Sequence, residues 1–111
     1  MTAFGTDAPV EPADPWPGIA IAVTRSAPTW PDPRPYGPDE GVSVAEALRA
    51  ATRGPARIAA QADRGHLGVG ALADFTAIPA AALAEPVEPG GALWHARPAF
   101  TAIDGRIVFE G

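Results

Sequence analysis

The chain contains no cysteine. No disulfide can staple the fold and no thiolate can hold a metal, which is compatible with a cytoplasmic location. Long apolar runs are missing too: none approaches the ~18 residues of a membrane-spanning helix. The amino terminus also lacks the basic and apolar regions of a signal peptide, so no membrane partner is expected. Eight basic residues stand against thirteen acidic ones, for a net charge of −5. That balance provides no broad basic face and argues against nucleic acid as a partner. Histidine is scarce: His66 and His95 are the only two. Neither sits in an H-x-H or H-E-x-x-H arrangement, so no local metal-ligand spacing exists. Large apolar side chains are fewer than the 47% hydrophobic share suggests, because alanine makes up almost half of it.

What is present is one small domain's worth of chain, 111 residues with 14 proline and 12 glycine. A chain of this size can bury roughly two-thirds of its unfolded surface, but here with a thin core. The opening "MTAFGTDAPV" reads as the end of a short buried strand, Ala3-Phe4-Gly5, with Asp7 at its tip ahead of Ala8-Pro9. Asp14-Pro15 then offers an N-cap and first-turn pair. Trp16, Ile19, Ala20 and Val23 follow at helical spacing. Proline recurs at Pro28, Pro31, Pro33, Pro35 and Pro38, which predicts a loop ordered where Trp30 and Tyr36 pack.

"SVAEALRAAT" is the clearest helix, with Ser43 and Glu46 as a capping box and Val44, Ala47, Leu48 and Ala51 as the buried stripe. Gly54-Pro55 is expected to break it and to start a second helix, "PARIAAQADR", closed by Gly65 in a left-handed cap. Beyond Gly65 the period changes. "ADFTAI" reads as a short strand and "PAFTAIDGRIVFEG" as a hairpin turning on Asp104-Gly105. That register sets Phe100 opposite Phe109 and Ala102 opposite Ile107.

Few residues could carry chemistry. Asp7 has two readings: a general base or metal ligand at the carboxyl end of a barrel strand, or an Asx-turn residue. The residues alone favour the second. "GHLGVG" lacks the strand–turn–helix context of a phosphate loop. Ser26 and Ser43 have no adjacent His and Asp to form a triad. Trp16, Trp30 and Trp94 read as packing residues.

Several stretches, in order, resemble one family. "FGTDAPV" resembles the "GSDxPV" signature at the eighth barrel strand of the amidohydrolase superfamily. The match is specifically to amidohydrolase family 3, the YtcJ-like metal-dependent hydrolases. "DPWPGIAIAVTR" is similar to that family's "dPl-gi-aAvtR" helix, and "GVSVAEALRAATRGPARIA" to its "rlsveeALraaTrgaA" segment. "DRGHLGVGALADFTAI" resembles "kGsLepGklADlvvl", and "TAIDGRIVFEG" its closing "tivdGrvvye" hairpin. The resemblance covers essentially the whole chain.

It implies an α/β fold: the carboxyl-terminal fragment of a (β/α)8 TIM-barrel amidohydrolase. Residues 1–64 would be the end of the barrel, and residues 65–111 short strands of the small composite β-sandwich domain. The implied parent activity is hydrolysis of non-peptide carbon–nitrogen bonds by a water activated on a divalent metal, zinc in many members. The implied role of Asp7 is catalytic and metal-binding, carrying a proton from that water to the leaving nitrogen. Asp74 falls at the "AD" position, where a structural role is implied. The family's other metal ligands belong to segments preceding the signature. Alone, the chain is therefore expected to be inactive. A complementary amino-terminal amidohydrolase chain, or self-association, is the expected partnership. The alternatives are a non-catalytic remnant, or a small binding or regulatory module that associates with a full-length relative.

Overall fold

A computed structural model describes all residues, 1–111. The first helix, α1 (Trp16–Thr24), starts one residue later than a cap at Asp14 would set it. The Asp14 carboxylate still accepts the Trp16 N–H at 3.1 Å, satisfying one first-turn amide. It ends at Arg25, whose left-handed backbone (φ 57°) lets its N–H reach the Ile21 carbonyl. Helix α2 (Val44–Ala51) carries the expected capping box. The Glu46 N–H donates to Ser43 Oγ at 3.2 Å, and the Ser43 N–H donates to the Glu46 carboxylate at 2.9 Å. Val44, Ala47 and Ala50 form its buried face, with Leu48 and Ala51 half-buried beside them.

Helix α3 (Arg53–Ile58) departs from expectation at both ends. The break falls at Thr52 (φ −121°, ψ −74°), so Gly54-Pro55 lies inside the first turn of α3. The helix stops at Ala59–Ala60, where Ala60 has φ 56°, and Gly65 does not cap it. Gly65 has another role. The following loop crosses Thr52 there so closely that a Cβ would lie 2.7 Å from the Thr52 carbonyl oxygen.

The amino-terminal stretch is a second correction. Residues 1–6 form no strand; they make one backbone bond toward α2, from the Phe4 N–H to the Ala50 carbonyl at 2.8 Å. A strand needs a ladder of such bonds from a neighbour, and the chain's three strands form a single sheet elsewhere. The segment is nevertheless seated. Phe4 packs on the core, and Gly54 lets the Thr2 carbonyl rest against the α3 backbone, where any Cβ would collide.

The core lies between α1 and α2. Ile19, Ala20, Val44, Ala47 and Leu93 form it, and Trp16, Leu83, Val87 and Trp94 pack around it. Leu93 is the largest fully buried side chain, at 1% exposure. Residues on both sides of position 65 therefore contribute to one core. The proline-rich loop is held differently from the expectation. Tyr36 is 77% exposed. Instead, buried Ser26 donates its hydroxyl to the Pro33 carbonyl at 2.8 Å, and Arg25 and Tyr36 exchange backbone and guanidinium bonds.

The sheet is antiparallel, in the order β1 (Phe75–Ala77), β2 (Phe100–Ile103), β3 (Arg106–Glu110). Asp104 (φ 51°) and Gly105 (φ 71°) make the expected turn. Ala102 opposes Ile107 as expected, but Thr101 opposes Phe109 and Phe100 opposes Glu110. A bulge at Val108 shifts the register, so Phe100 does not face Phe109. Phe100 packs instead edge-on against Phe75 across β1, with ring centroids 5.9 Å apart at 83°. Strand β3 is exposed throughout.

Leu93→Ala should cost about 2–5 kcal/mol by cavity formation, a large part of a small domain's stability. Urea unfolding monitored by tryptophan fluorescence measures this, and an unchanged midpoint would contradict a core centred on Leu93. The Glu46 carboxyl is held below the ordinary glutamate range, first by the Ser43 hydroxyl and then by the Ser43 N–H. A lowered folded-state value stabilises fully above the ordinary range and is lost as pH falls through the lowered value. The first-turn amides of α2 should therefore exchange faster in that acid window, and Glu46→Gln should flatten the dependence.

Candidate functional site

Asp7 sits in a turn rather than at the tip of a strand. The Val10 N–H donates to the Asp7 carbonyl at 2.9 Å, and the Ala8–Pro9 bond between them is cis, as in a type VI turn. Asp7 itself has φ 55°, a left-handed conformation that aspartate tolerates better than most residues. Its side chain is exposed and takes part in none of the side-chain hydrogen bonds of the chain, so the turn is not an Asx-turn. The carboxylate projects from the backbone unengaged.

No three His, Asp or Glu side chains come together as a metal-binding group. His66 is instead a loop staple. Its Nδ1 accepts the Gly68 N–H at 3.1 Å, and its Nε2 lies 3.0 Å from the Ala62 carbonyl, so both ring nitrogens are engaged. His95 is exposed in the turn-rich stretch before β2. Ser43 is committed to Glu46. Ser26 is fully committed to the proline-rich loop. That role had no signal in the sequence, because its partner's position depends on how the loop folds back.

Asp74 performs a definite structural task. One carboxylate oxygen pairs with Arg64, and the other accepts the Asp104 N–H at 2.8 Å. Beside it, the Gly105 N–H donates to the Ala73 carbonyl at 3.0 Å. The tip of the β2–β3 hairpin is thus tied to the segment entering β1, and that segment to the loop after α3.

This order of elements, with the acid between the extended opening and α1 and with the hairpin clamp at the far end, runs along the stretches that carried the resemblance. A family model described as "Amidohydrolase family" matches residues 1–109. The chain belongs to the amidohydrolase family. The curated protein "Putative amidohydrolase YtcJ" of Bacillus subtilis (strain 168) is 35% identical over 111 residues, covering 99% of this chain and 20% of the relative. The chain thus spans about a fifth of that relative's length. No solved structure matches it.

Amidohydrolases are generally metal-dependent. The residues here do not fit a metal centre by themselves, since a structural or catalytic site needs several converging ligands. Asp7 has no ligating group assembled around it. No helix is long and apolar enough to cross a membrane.

Asp74→Ala removes a charge-assisted bond and an ion pair, and should cost about 1–3 kcal/mol. Amide exchange should rise most at Asp104 and Gly105 and little in α2. A uniform rise across the chain would show that Asp74 is not a local clamp.

Proposed function

We propose that the chain is the carboxyl-terminal part of a hydrolase acting on non-peptide carbon–nitrogen bonds. Residues 1–64 would complete a (β/α)8 barrel and residues 65–111 a small β-sandwich. In this reading Asp7 is the catalytic acid–base group. It takes a proton from the attacking water and delivers it to the leaving nitrogen. The remaining catalytic groups, including those for the divalent metal, belong to a complementary amino-terminal portion. The chain works only when joined to it.

The observation that carries this reading is the family match over residues 1–109, together with the exposed, unengaged Asp7 carboxylate. An acid that binds nothing within its own chain is free to serve a partner's chemistry. The segment leading to its turn is anchored to α2 through the Phe4 N–H. The exposed amino-terminal segment is also where a neighbouring strand would bring the ladder it lacks.

A second reading is a binding module that associates with a full-length relative or with itself. Strand β3 favours it. Ile107, Val108 and Phe109 are 58%, 57% and 48% exposed on a sheet edge that carries no partner strand, a template for strand addition.

The test is complementation. The purified chain is mixed with the amino-terminal portion of a family member, and hydrolysis of amide, imide and ring C–N substrates is followed. The expected outcome is no turnover by the chain alone and turnover by the pair. Asp7→Asn should lower kcat of the pair by about 10²–10⁴-fold without preventing association. Turnover by the chain alone would overturn the dependence on a complement. Full activity of the Asp7→Asn pair would overturn the role of Asp7. Association without turnover would favour the binding module.

A further inference from the structure

Half of the chain's eight basic residues line a single concavity. Arg49, Arg53 and Arg57 follow one another at intervals of four across α2 and α3, and Arg25 faces them from the end of α1. The concavity measures about 540 Å³, and Phe4, Ala22, Val42 and Ala50 add apolar surface to its lining. On a chain with thirteen acidic residues, none of these four arginines forms an ion pair. The three ion pairs lie elsewhere: Arg34–Asp32, Arg64–Asp74 and Arg97–Asp14. Two carboxylates share the lining, Glu40 and Glu46. Glu46 is hydrogen-bonded to the Ser43 cap and its charge also acts on Arg49, while Glu40 makes no ion pair.

Arg53 and Arg57, four residues apart on α3, repel each other at some cost to that helix. Arg25 and Arg49 add their charge to the same recess. Arg25 is already oriented, its Nε–H donating to the Tyr36 carbonyl at 3.0 Å. A guanidinium binds phosphate or carboxylate through parallel N–H bonds, and its charge persists at every physiological pH. A recess of this volume falls within the range of small-molecule sites.

We propose that this concavity is a binding site for a small polyanion, a molecule bearing two or more phosphate or carboxylate groups on a compact body. The arginines of α2 and α3 grip one anionic end and Arg25 the other, while Glu40 limits the charge accepted. The site is made wholly from residues of this chain, and its titration on the chain alone does not require the hydrolase reading. Asp7 is not part of its lining.

The experiment is a thermal-shift and calorimetric titration of the intact chain at low ionic strength, with inorganic pyrophosphate and citrate as probes and sodium chloride at matched ionic strength as control. Saturable binding with a raised Tm is expected, because a ligand that favours the folded state stabilises it. The stronger probe identifies phosphate or carboxylate as the preferred chemistry. Arg53→Ala and Arg57→Ala should each weaken binding about ten- to hundredfold, and Arg106→Ala, on β3, should leave it unchanged. Glu40→Gln should tighten binding and needs no loss of fold to be read. The proposal is overturned by any of three results: no saturable binding of either probe, a shift matched by sodium chloride, or equal binding by the arginine variants and the parent.

Discussion

The close contact of α1 with α2 is the constraint on which the rest depends. Ala20 and Ala47 are both completely buried, and side chains that small let the two helices approach with little between them. Leu93, arriving from far along the chain, fills what remains. Alanine-rich faces save side-chain entropy but bury little area per residue. The fold therefore has few redundant contacts. Placement of Phe4, and through it the segment leading to Asp7, depends on the Ala50 carbonyl at the end of that same packed helix.

A chain with so little core leans on hydrogen-bonded clamps at its periphery. The capping box starts α2, Ser26 holds the proline-rich loop, His66 staples the turn after α3, and Asp74 ties the hairpin to β1. Each replaces contacts that a larger hydrophobic interior would provide. The aspartates that fix local backbone also hold arginines: Asp14 serves α1 and Arg97, Asp32 the Arg34 N–H and guanidinium, and Asp74 the hairpin and Arg64.

What was legible in the sequence was what nearby residues decide among themselves. Ser43 and Glu46 are three positions apart and formed their box; Asp104 and Gly105 adopt the positive φ of their turn, which residue type alone favours. What was not legible depended on distant partners. The opening stretch has strand-like residues, yet no strand of this chain lies beside it. The hairpin register slipped at Val108, so Phe100 turned to Phe75. Gly65 stands in sequence where a helix cap would fall, but it serves where a loop crosses Thr52. Asp7 stood out as a candidate chiefly through the family pattern around it. Its own turn chemistry pointed to a local Asx bond that did not form.

The bare backbone at Gly54 has a mechanical consequence. With the Thr2 carbonyl bedded against it and Phe4 hung from Ala50, the opening segment touches both sides of the bend at Thr52. The segment is therefore geared to the angle between the two helices. Re-angling them by a few degrees would swing the acidic tip a few residues on, so the aim of that carboxylate is set by a joint made of helices rather than by the turn that carries it.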